Sequence, residues 1–364
     1  MTAQNPSKPR RARAVNKTIR RALLTTFLTT LSFGGLSNAC TLMGANGTAT
    51  KDGNVYLAST SDNPYIEGPR NQVYLTIPKQ GYKFVHTPLH IQDPPGHYFD
   101  VGSDRGMNEK GFSWTRAWVV PNEPQAANKM NAVDWFLKLG STVSTVDEAI
   151  KFVQDNPKGI GDQGNYIFAD ADGNMAAVEV GYQTVNVVEK WTKGEKGVVA
   201  RANLWTSDKM KPIDISNTAD EHDHQYAVST GYRVPRAMEL LNGGTGKIDV
   251  EMLKQFLADN SNRDKKPLGD TGFSISNHGA TGGTVAAEVY DPAHRTFWFT
   301  YGWPDGDAKS SNPSFDGANK NTWGAWIPFI LSEMTEEGYY TDWNGNVTPL
   351  GARYLAKLNA KKML

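Results

Sequence analysis

The sequence contains a single cysteine, Cys40, so the chain can form no internal disulfide. It also lacks an excess of positive charge, because 38 acidic residues balance 38 basic ones. This balance argues against nucleic acid and anionic membrane surfaces as partners. No apolar run approaches the ~20 residues that a membrane-spanning helix needs. With 39% hydrophobic residues, the chain can instead fill a sizeable globular core.

Acidic residues are absent from the first 39 positions, which contain seven basic residues followed by an apolar run over 22–36. Two small residues, Ser37 and Ala39, then stand three and one positions before Cys40. Such a pattern is typical of a secretory signal peptide. We therefore expect cleavage after Ala39 and export, either to the periplasm or as a secreted protein. Loss of the seven basic residues leaves residues 40–364 with a net charge of −7.

Two properties of this leader stay open. Arg20 and Arg21 precede the apolar run and resemble a twin-arginine export signal, although paired arginines also occur in ordinary leaders. A cysteine directly after a leader can also carry a lipid, but lipoprotein signals usually have Leu, Val or Ile where this chain has Ser37. The alternative function is thus a lipid-anchored binding protein that uses its 10 Trp and 14 Tyr to stack on sugars.

Cleavage before Cys40 would give one residue both a thiol and a free α-amine. The α-amine has a pKa of about 7.7–8.0, so it can accept the thiol proton near neutral pH. An unpaired thiol in an exported protein also needs an explanation, such as chemical reactivity. The residue types therefore predict that Cys40 is a nucleophile.

The segment after Cys40 predicts a hairpin. Asp52-Gly53 is a turn signal, and Val55–Ala58 forms the returning strand. The length of this strand brings Asp62 back to the strand that starts at Cys40. Asp62 is then either part of the same site or a simple turn residue before Asn63-Pro64; the spacing favours neither.

Further strand pairs and helices follow in an order that predicts an α+β layered single domain over 40–364, with a C-terminal tail from about 303. Strands are expected at 74–78, 82–85, 113–119, 165–170, 175–180, 197–204, 282–290 and 295–301, and helices at 131–139, 145–154, 232–241, 250–258 and 350–364. A turn is expected at 106–112. The polar segment 208–229 is expected to be a surface loop. It includes Glu221–His224, which have metal-ligand side chains but no distant fourth ligand, so we expect no metal.

Several short motifs occur in the order found in the choloylglycine hydrolase branch of the N-terminal-nucleophile (Ntn) hydrolases. That branch includes bile salt hydrolases, penicillin V acylases, acyltransferase-like amidases and, more distantly, cysteine dipeptidases. The matching positions are Cys40-Thr41, Asp52-Gly53, Asp62, Asn108–Gly111, Asn203 and Arg233. The resemblance implies a four-layer αββα sandwich, with two stacked antiparallel sheets flanked by helices.

The resemblance also implies roles for four residues. Cys40 would attack a linear amide, Asp62 would orient its α-ammonium group, Asn203 would stabilise the oxyanion, and Arg233 would favour the thiolate. Asn108–Gly111 is interpreted as a structural turn. The substrate would be a small-molecule N-acyl amide, and no metal or organic cofactor is required. Within the family, a dipeptidase or an acyltransferase stays an alternative, and assembly into a homo-oligomer stays open.

One departure from the family is Ser59, which stands where bile salt hydrolases and the dipeptidases have an arginine. Loss of that cation would raise the pKa of Cys40 unless Arg233 or another cation compensates. The asparagine that bile salt hydrolases place farther along is also replaced near Trp118. Both changes argue against bile salts and favour a different amide. Trp114, Trp118 and Trp205 could line an acyl pocket, but core packing is the simpler interpretation.

Overall fold

The structure is a computed structural model that describes residues 40–64, 72–92, 98–125, 127, 130–156, 163–215, 221–262, 273–276, 282–301, 324–342 and 346–364. The predicted leader, residues 1–39, lies outside the described residues. No helix in the described part of the chain has the length and apolar character needed to cross a bilayer.

Six of the described strands form one antiparallel sheet. In spatial order they are β10 (Gly197–Arg201), β1 (Leu42–Gly47), β2 (Gly53–Pro64), β11 (Gly282–Asp291), β12 (Thr296–Tyr301) and β13 (Ile327–Ile330). The predicted hairpin between β1 and β2 is confirmed. Gly53 has a positive φ of 79°, and the Asp52 carboxylate accepts hydrogen bonds from the backbone N–H of Asn54 and the hydroxyl of Tyr56. This turn chemistry sets the register that brings Asp62 towards the start of β1.

Eight described strands form a second antiparallel sheet. In spatial order they are β14 (Gly338–Tyr339), β3 (Tyr74–Thr76), β4 (Phe84–Gln92), β5 (Tyr98–Asn108), β6 (Ser113–Ala117), β7 (Gly164–Ala169), β8 (Met175–Val180) and β9 (Val185–Trp191). Strand alternation divides its side chains between two faces. Ile167 and Ala177 point to the first sheet, whereas Tyr166 and Phe168 point away from it.

Five described α-helices complete the layers: α1 (Ala132–Thr142), α2 (Val146–Asp155), α3 (Glu221–Gly243), α4 (Val250–Leu257) and α5 (Pro349–Ala360). The apolar residues of α1 and α2 pack on the outer face of the eight-stranded sheet, and those of α3 and α4 pack on the outer face of the six-stranded sheet. The two inner faces enclose a third apolar core. The order is helix, sheet, sheet, helix, as the family resemblance implied.

Local signals explain several element boundaries. The predicted start of α2 is confirmed by a capping box, in which the Thr145 side chain accepts from the Glu148 N–H and the Glu148 carboxylate accepts from the Thr145 N–H. The Asn108–Gly111 turn is structural, as predicted. The Asn108 side chain donates to the carbonyl oxygens of Gly140 and Val143, which ties the turn to the end of α1.

Some predicted boundaries are wrong. The segment 208–229 is not a single loop, because α3 begins at Glu221. Strand β5 continues through Asn108, so the turn expected at 106–112 is shorter. Beyond Gly302 the sequence pattern predicts no strand, yet β13 pairs with β12 and β14 pairs with β3. Strand β13 has four residues and β14 has two, too few to produce a clear alternating pattern.

Candidate active site

Cys40 lies two residues before β1, at the N-terminal end of that strand in the six-stranded sheet. Strand β1 pairs with β10 on one side and with β2 on the other. Continuing both antiparallel registers by two residues puts Cys40 opposite Asn203 and Ser61. Alternation gives the Cys40 side chain the same face as Leu42, and both belong to the core between the sheets.

The guanidinium group of Arg233 reaches from α3 to the start of β1. Its Nη1 donates to the backbone oxygen of Cys40 at 2.6 Å and to Thr41 Oγ1 at 2.8 Å. Its Nη2 donates to Asn203 Oδ1 at 3.3 Å, and its Nε donates to Ser229 Oγ at 3.0 Å. One fully buried side chain thus joins the predicted nucleophile to the predicted oxyanion asparagine.

Burial lowers the pKa of Arg233, because the charged guanidinium loses its water shell. The negative charges of Asp62 and of a Cys40 thiolate act in the opposite direction and favour the cation. An arginine side chain is not deprotonated in proteins near neutral pH, so Arg233 stays charged. Its positive charge lies beside Cys40; that this charge favours the thiolate stays a prediction.

The orientation of the Asn203 amide follows from two hydrogen bonds. Its Oδ1 accepts from Arg233, and its Nδ2 donates to the backbone oxygen of Trp118 at 2.9 Å. Reversing the amide would place donor against donor and acceptor against acceptor. An amide nitrogen has two N–H bonds, so Nδ2 can direct the second one to a substrate oxygen.

Asn165, which no sequence motif marks, holds the segment that contains Asn203. It lies on β7 of the other sheet and is fully buried. Its Nδ2 donates to the backbone oxygen of Ala202 at 2.6 Å and to that of Leu204 at 2.9 Å. The two carbonyls on either side of Asn203 are therefore fixed by one side chain. This contact joins separate sheets, so no local sequence pattern could reveal it.

Asp62 follows Ser61 on β2 and is 2% exposed. Its Oδ1 accepts from the Thr284 hydroxyl at 2.6 Å, and its charge acts on Arg233. The structure thus brings Cys40, Asp62 and Arg233 to one end of the sheet. The α-ammonium group of Cys40 would exist only after cleavage of the leader, so its contact with Asp62 stays a prediction.

A second polar group lies on the inner face, beside Ser59. The Glu288 carboxylate accepts from Ser59 Oγ at 2.9 Å and from Ser61 Oγ at 3.2 Å. Arg105 Nε lies 3.5 Å from the same carboxylate, and Arg105 Nη2 donates to the backbone oxygen of Thr60 at 3.1 Å. Arg105 and Ser59 thus contact the same carboxylate, and Glu288 balances the Arg105 charge. Arg105 and Thr60 are 45 residues apart in the chain.

The structure also shows the surroundings of the tryptophans. Trp114 and Trp205 are fully buried in apolar clusters, which confirms the packing interpretation for both. Trp118 contributes its backbone oxygen to Asn203. No cluster of three His, Cys, Asp or Glu side chains that could hold a metal ion occurs within the described ranges.

Two stacked antiparallel sheets, helices on both outer faces and a cysteine at a strand start define an Ntn hydrolase fold. The family model for acyl-coenzyme A:6-aminopenicillanic acid acyl-transferase matches residues 48–305. This match covers more than half of the chain, so the chain belongs to that family. The resemblance inferred from the short motifs is confirmed.

Solved structures of low sequence identity resemble the chain. Penicillin V acylase from Agrobacterium tumefaciens is 14% identical, with a TM-score of 0.42 over 72% of this chain and 83% of that one. Two variants of conjugated bile acid hydrolase from Clostridium perfringens each align over 84% of this chain. They are 11% and 10% identical, with TM-scores of 0.40 and 0.43 over 94% and 98% of their own lengths. A comparison with curated protein sequences finds no match.

Proposed function

We propose that the protein is an exported cysteine amidohydrolase that cleaves the C–N bond of a small linear N-acyl amide. The observation that carries this proposal is the Arg233 guanidinium, which binds the Cys40 backbone and the Asn203 side chain at once. A cysteine nucleophile and an oxyanion donor are the two groups that acyl transfer to sulfur requires. Membership of an acyl-transferase family supports the same chemistry.

In the proposed reaction, the Cys40 α-amine takes the thiol proton as Sγ attacks the amide carbonyl. The second N–H of Asn203 and a backbone N–H stabilise the oxyanion, with one good donor contributing about 2.7–4 kcal/mol. The α-ammonium then protonates the leaving nitrogen as the C–N bond breaks, which leaves a thioester. Water attacks the thioester with the α-amine as base, and the carboxylic acid and the thiol are released. Asp62 would keep the ammonium oriented throughout.

An acyltransferase is the second candidate, and the family match favours it. The thioester is the same, but an acceptor amine attacks it in place of water. The two activities differ only in the second step. Adding a competing amine to the assay separates them, because a transferase converts the amine into a new amide.

The test uses the exported protein and a panel of N-acyl amides: penicillin V, N-acyl homoserine lactones, conjugated bile salts, simple N-acyl amides and dipeptides. Release of free amine is measured for the wild type and for Cys40→Ser. We expect release by the wild type only. Activity of Cys40→Ser within a few-fold of wild type would overturn the proposal.

Intact-mass measurement of the same preparation tests the start of the mature chain. We expect a protein that begins at Cys40 with an unmodified amine. A diacylglycerol adduct on Cys40 would instead support the lipid-anchored binding protein, because the blocked amine could not act as a base.

A further inference from the structure

Arg105 and Glu288 form an ion pair between the two sheets. Arg105 lies on β5 and Glu288 on β11, and their side chains are 2% and 0% exposed. Removing two charges from water costs several kcal/mol per ion, so a buried pair contributes little net stability. Ser59, Ser61 and the Thr60 carbonyl bind the pair, and the rest of the core between the sheets is apolar. Stability is therefore a weak explanation for this pair, and its position needs another one.

The hydrogen bonds of the pair lead to the strand beside the nucleophile. Glu288 accepts from Ser61, which the β1–β2 register puts opposite Cys40. Arg105 donates to the Thr60 carbonyl, which in a regular antiparallel pair would accept from the Thr41 N–H. Here the Thr41 N–H donates to Thr60 Oγ1 at 3.0 Å instead. Arg105 thus takes the place of the Thr41 N–H as the donor to the Thr60 carbonyl. Thr41 and Thr60 are the cross-strand pair directly after Cys40.

We infer that Arg105 and Glu288 are positioning residues that set the electrostatic potential at the Cys40 thiol and hold β2 against the start of β1. This inference rests on the proposed function, because it assigns the pair to that nucleophile. Alternation puts the Cys40 side chain and the ion pair on the same face of the sheet. Within the described residues, the other charged or titratable groups that face this end of the sheet are Asp62, Arg233 and Tyr290, together with the α-amine of Cys40 in the cleaved protein.

Two of these groups keep one charge state across the pH range of a thiol titration. Burial raises the pKa of Tyr290 well above its usual value, so the phenol stays neutral. Arg233 stays positive. Asp62 and the α-amine of Cys40 are present in wild type and in both variants. The response of the thiol to Arg105 and Glu288 is therefore measured as the difference between each variant and wild type.

The two charges predict opposite effects. Replacing Arg105 by Met leaves the Glu288 anion, which disfavours the thiolate and raises the pKa of Cys40. Replacing Glu288 by Gln leaves the Arg105 cation, which lowers the pKa of Cys40. A merely structural role would not give shifts of opposite sign, since both substitutions would loosen the same region.

The experiment measures the rate of iodoacetamide alkylation against pH in the cleaved protein. Cys40 is the only thiol, so all labelling reports on it. The midpoint of this rate–pH curve reports the pKa of the thiol. We expect it to rise by about one pH unit in Arg105→Met and to fall by a similar amount in Glu288→Gln. In the double variant it should return near the wild-type value. Cys40→Ala gives the unlabelled baseline.

Lys254→Met is the matched control. Lys254 is also a buried cation, at 8% exposure, but it lies on α4 against Trp298, on the opposite face of the sheet. We expect no change of midpoint. Arg105→Lys keeps the charge and serves if Arg105→Met does not fold, as judged by circular dichroism; it should leave the midpoint within about 0.3 units of wild type.

Shifts of the same sign, or a Glu288→Gln midpoint that equals that of wild type, would overturn the inference. The titration needs no substrate, so it remains informative if the protein hydrolyses no amide. Failure of the proposed function would appear separately, as amine release that does not depend on Cys40.

Discussion

Arg233 Nη1 lies 2.6 Å from the backbone oxygen of Cys40, although 193 residues separate the two in the chain. The same guanidinium binds Asn203 through Nη2. The positions of the proposed nucleophile and of the proposed oxyanion donor therefore depend on one side chain. Because Arg233 comes from α3, the packing of that helix on the six-stranded sheet determines the geometry of the site.

Arg233→Met should lower kcat/KM at least 100-fold, because both the backbone contact and the positive charge are lost. The substitution leaves Asp62 buried without its neighbouring cation. We therefore also expect the free energy of unfolding, measured by urea denaturation, to fall by about 3–5 kcal/mol. Arg233→Lys restores charge but cannot make the forked contacts, and it should recover only a small part of the activity. The control is Arg236→Met, one residue beyond Pro235 on the same helix, where a partly exposed guanidinium binds Asp259. A similar activity loss in that control would contradict the assignment.

Asn203→Ala should lower kcat by about 10²–10³-fold while KM changes little, because the donor acts on the oxyanion and not on the bound amide. Steady-state kinetics on the best substrate of the panel measure both constants. Asn359→Ala, an exposed asparagine near the end of α5, is the matched control and should behave as wild type. A rise in KM with unchanged kcat would show that Asn203 binds substrate without stabilising the transition state.

Asn165→Ala should reduce kcat about tenfold through Asn203. The two carbonyls that it holds would lose their donor, and the Asn203 amide would lose its fixed position. A double-mutant cycle with Asn203→Ala tests this link, since residues that act together are not additive. We expect Asn165→Ala to have almost no further effect in the Asn203→Ala background. Fully additive losses would mean that Asn165 acts elsewhere.

The sequence could predict the parts of this molecule that local chemistry determines. Asp52-Gly53 determines the first hairpin, and Thr145 with Glu148 determines the start of α2. The proximity of Cys40 and Asp62 follows from the length of that hairpin.

Contacts between distant elements could not be predicted in the same way. Arg105 and Glu288 meet only because two sheets stack, and a single sequence does not encode which inner-face residues lie opposite each other. The start of α3 was also hidden, because the residues from Glu221 onward are polar and resemble a solvated loop. The predicted site residues could be proposed because they occur in recognisable motifs, whereas Asn165 and Thr284 lie in ordinary strand sequences.

Thr284→Val should shift the acidic limb of the kcat/KM profile to higher pH. Asp62 loses the hydroxyl that donates to its Oδ1 at 2.6 Å, and loss of a donor to the charged form raises the pKa of a carboxyl group. The proposed mechanism needs Asp62 ionised. As the pH is lowered, activity should therefore be lost about 0.5–1 unit earlier in Thr284→Val than in wild type, while kcat/KM on the plateau stays unchanged. Thr284→Ser retains the hydroxyl and should keep the wild-type limb. Equal limbs in Thr284→Val and wild type would show that ionisation of Asp62 does not control the rate, and the base would then be oriented by another group.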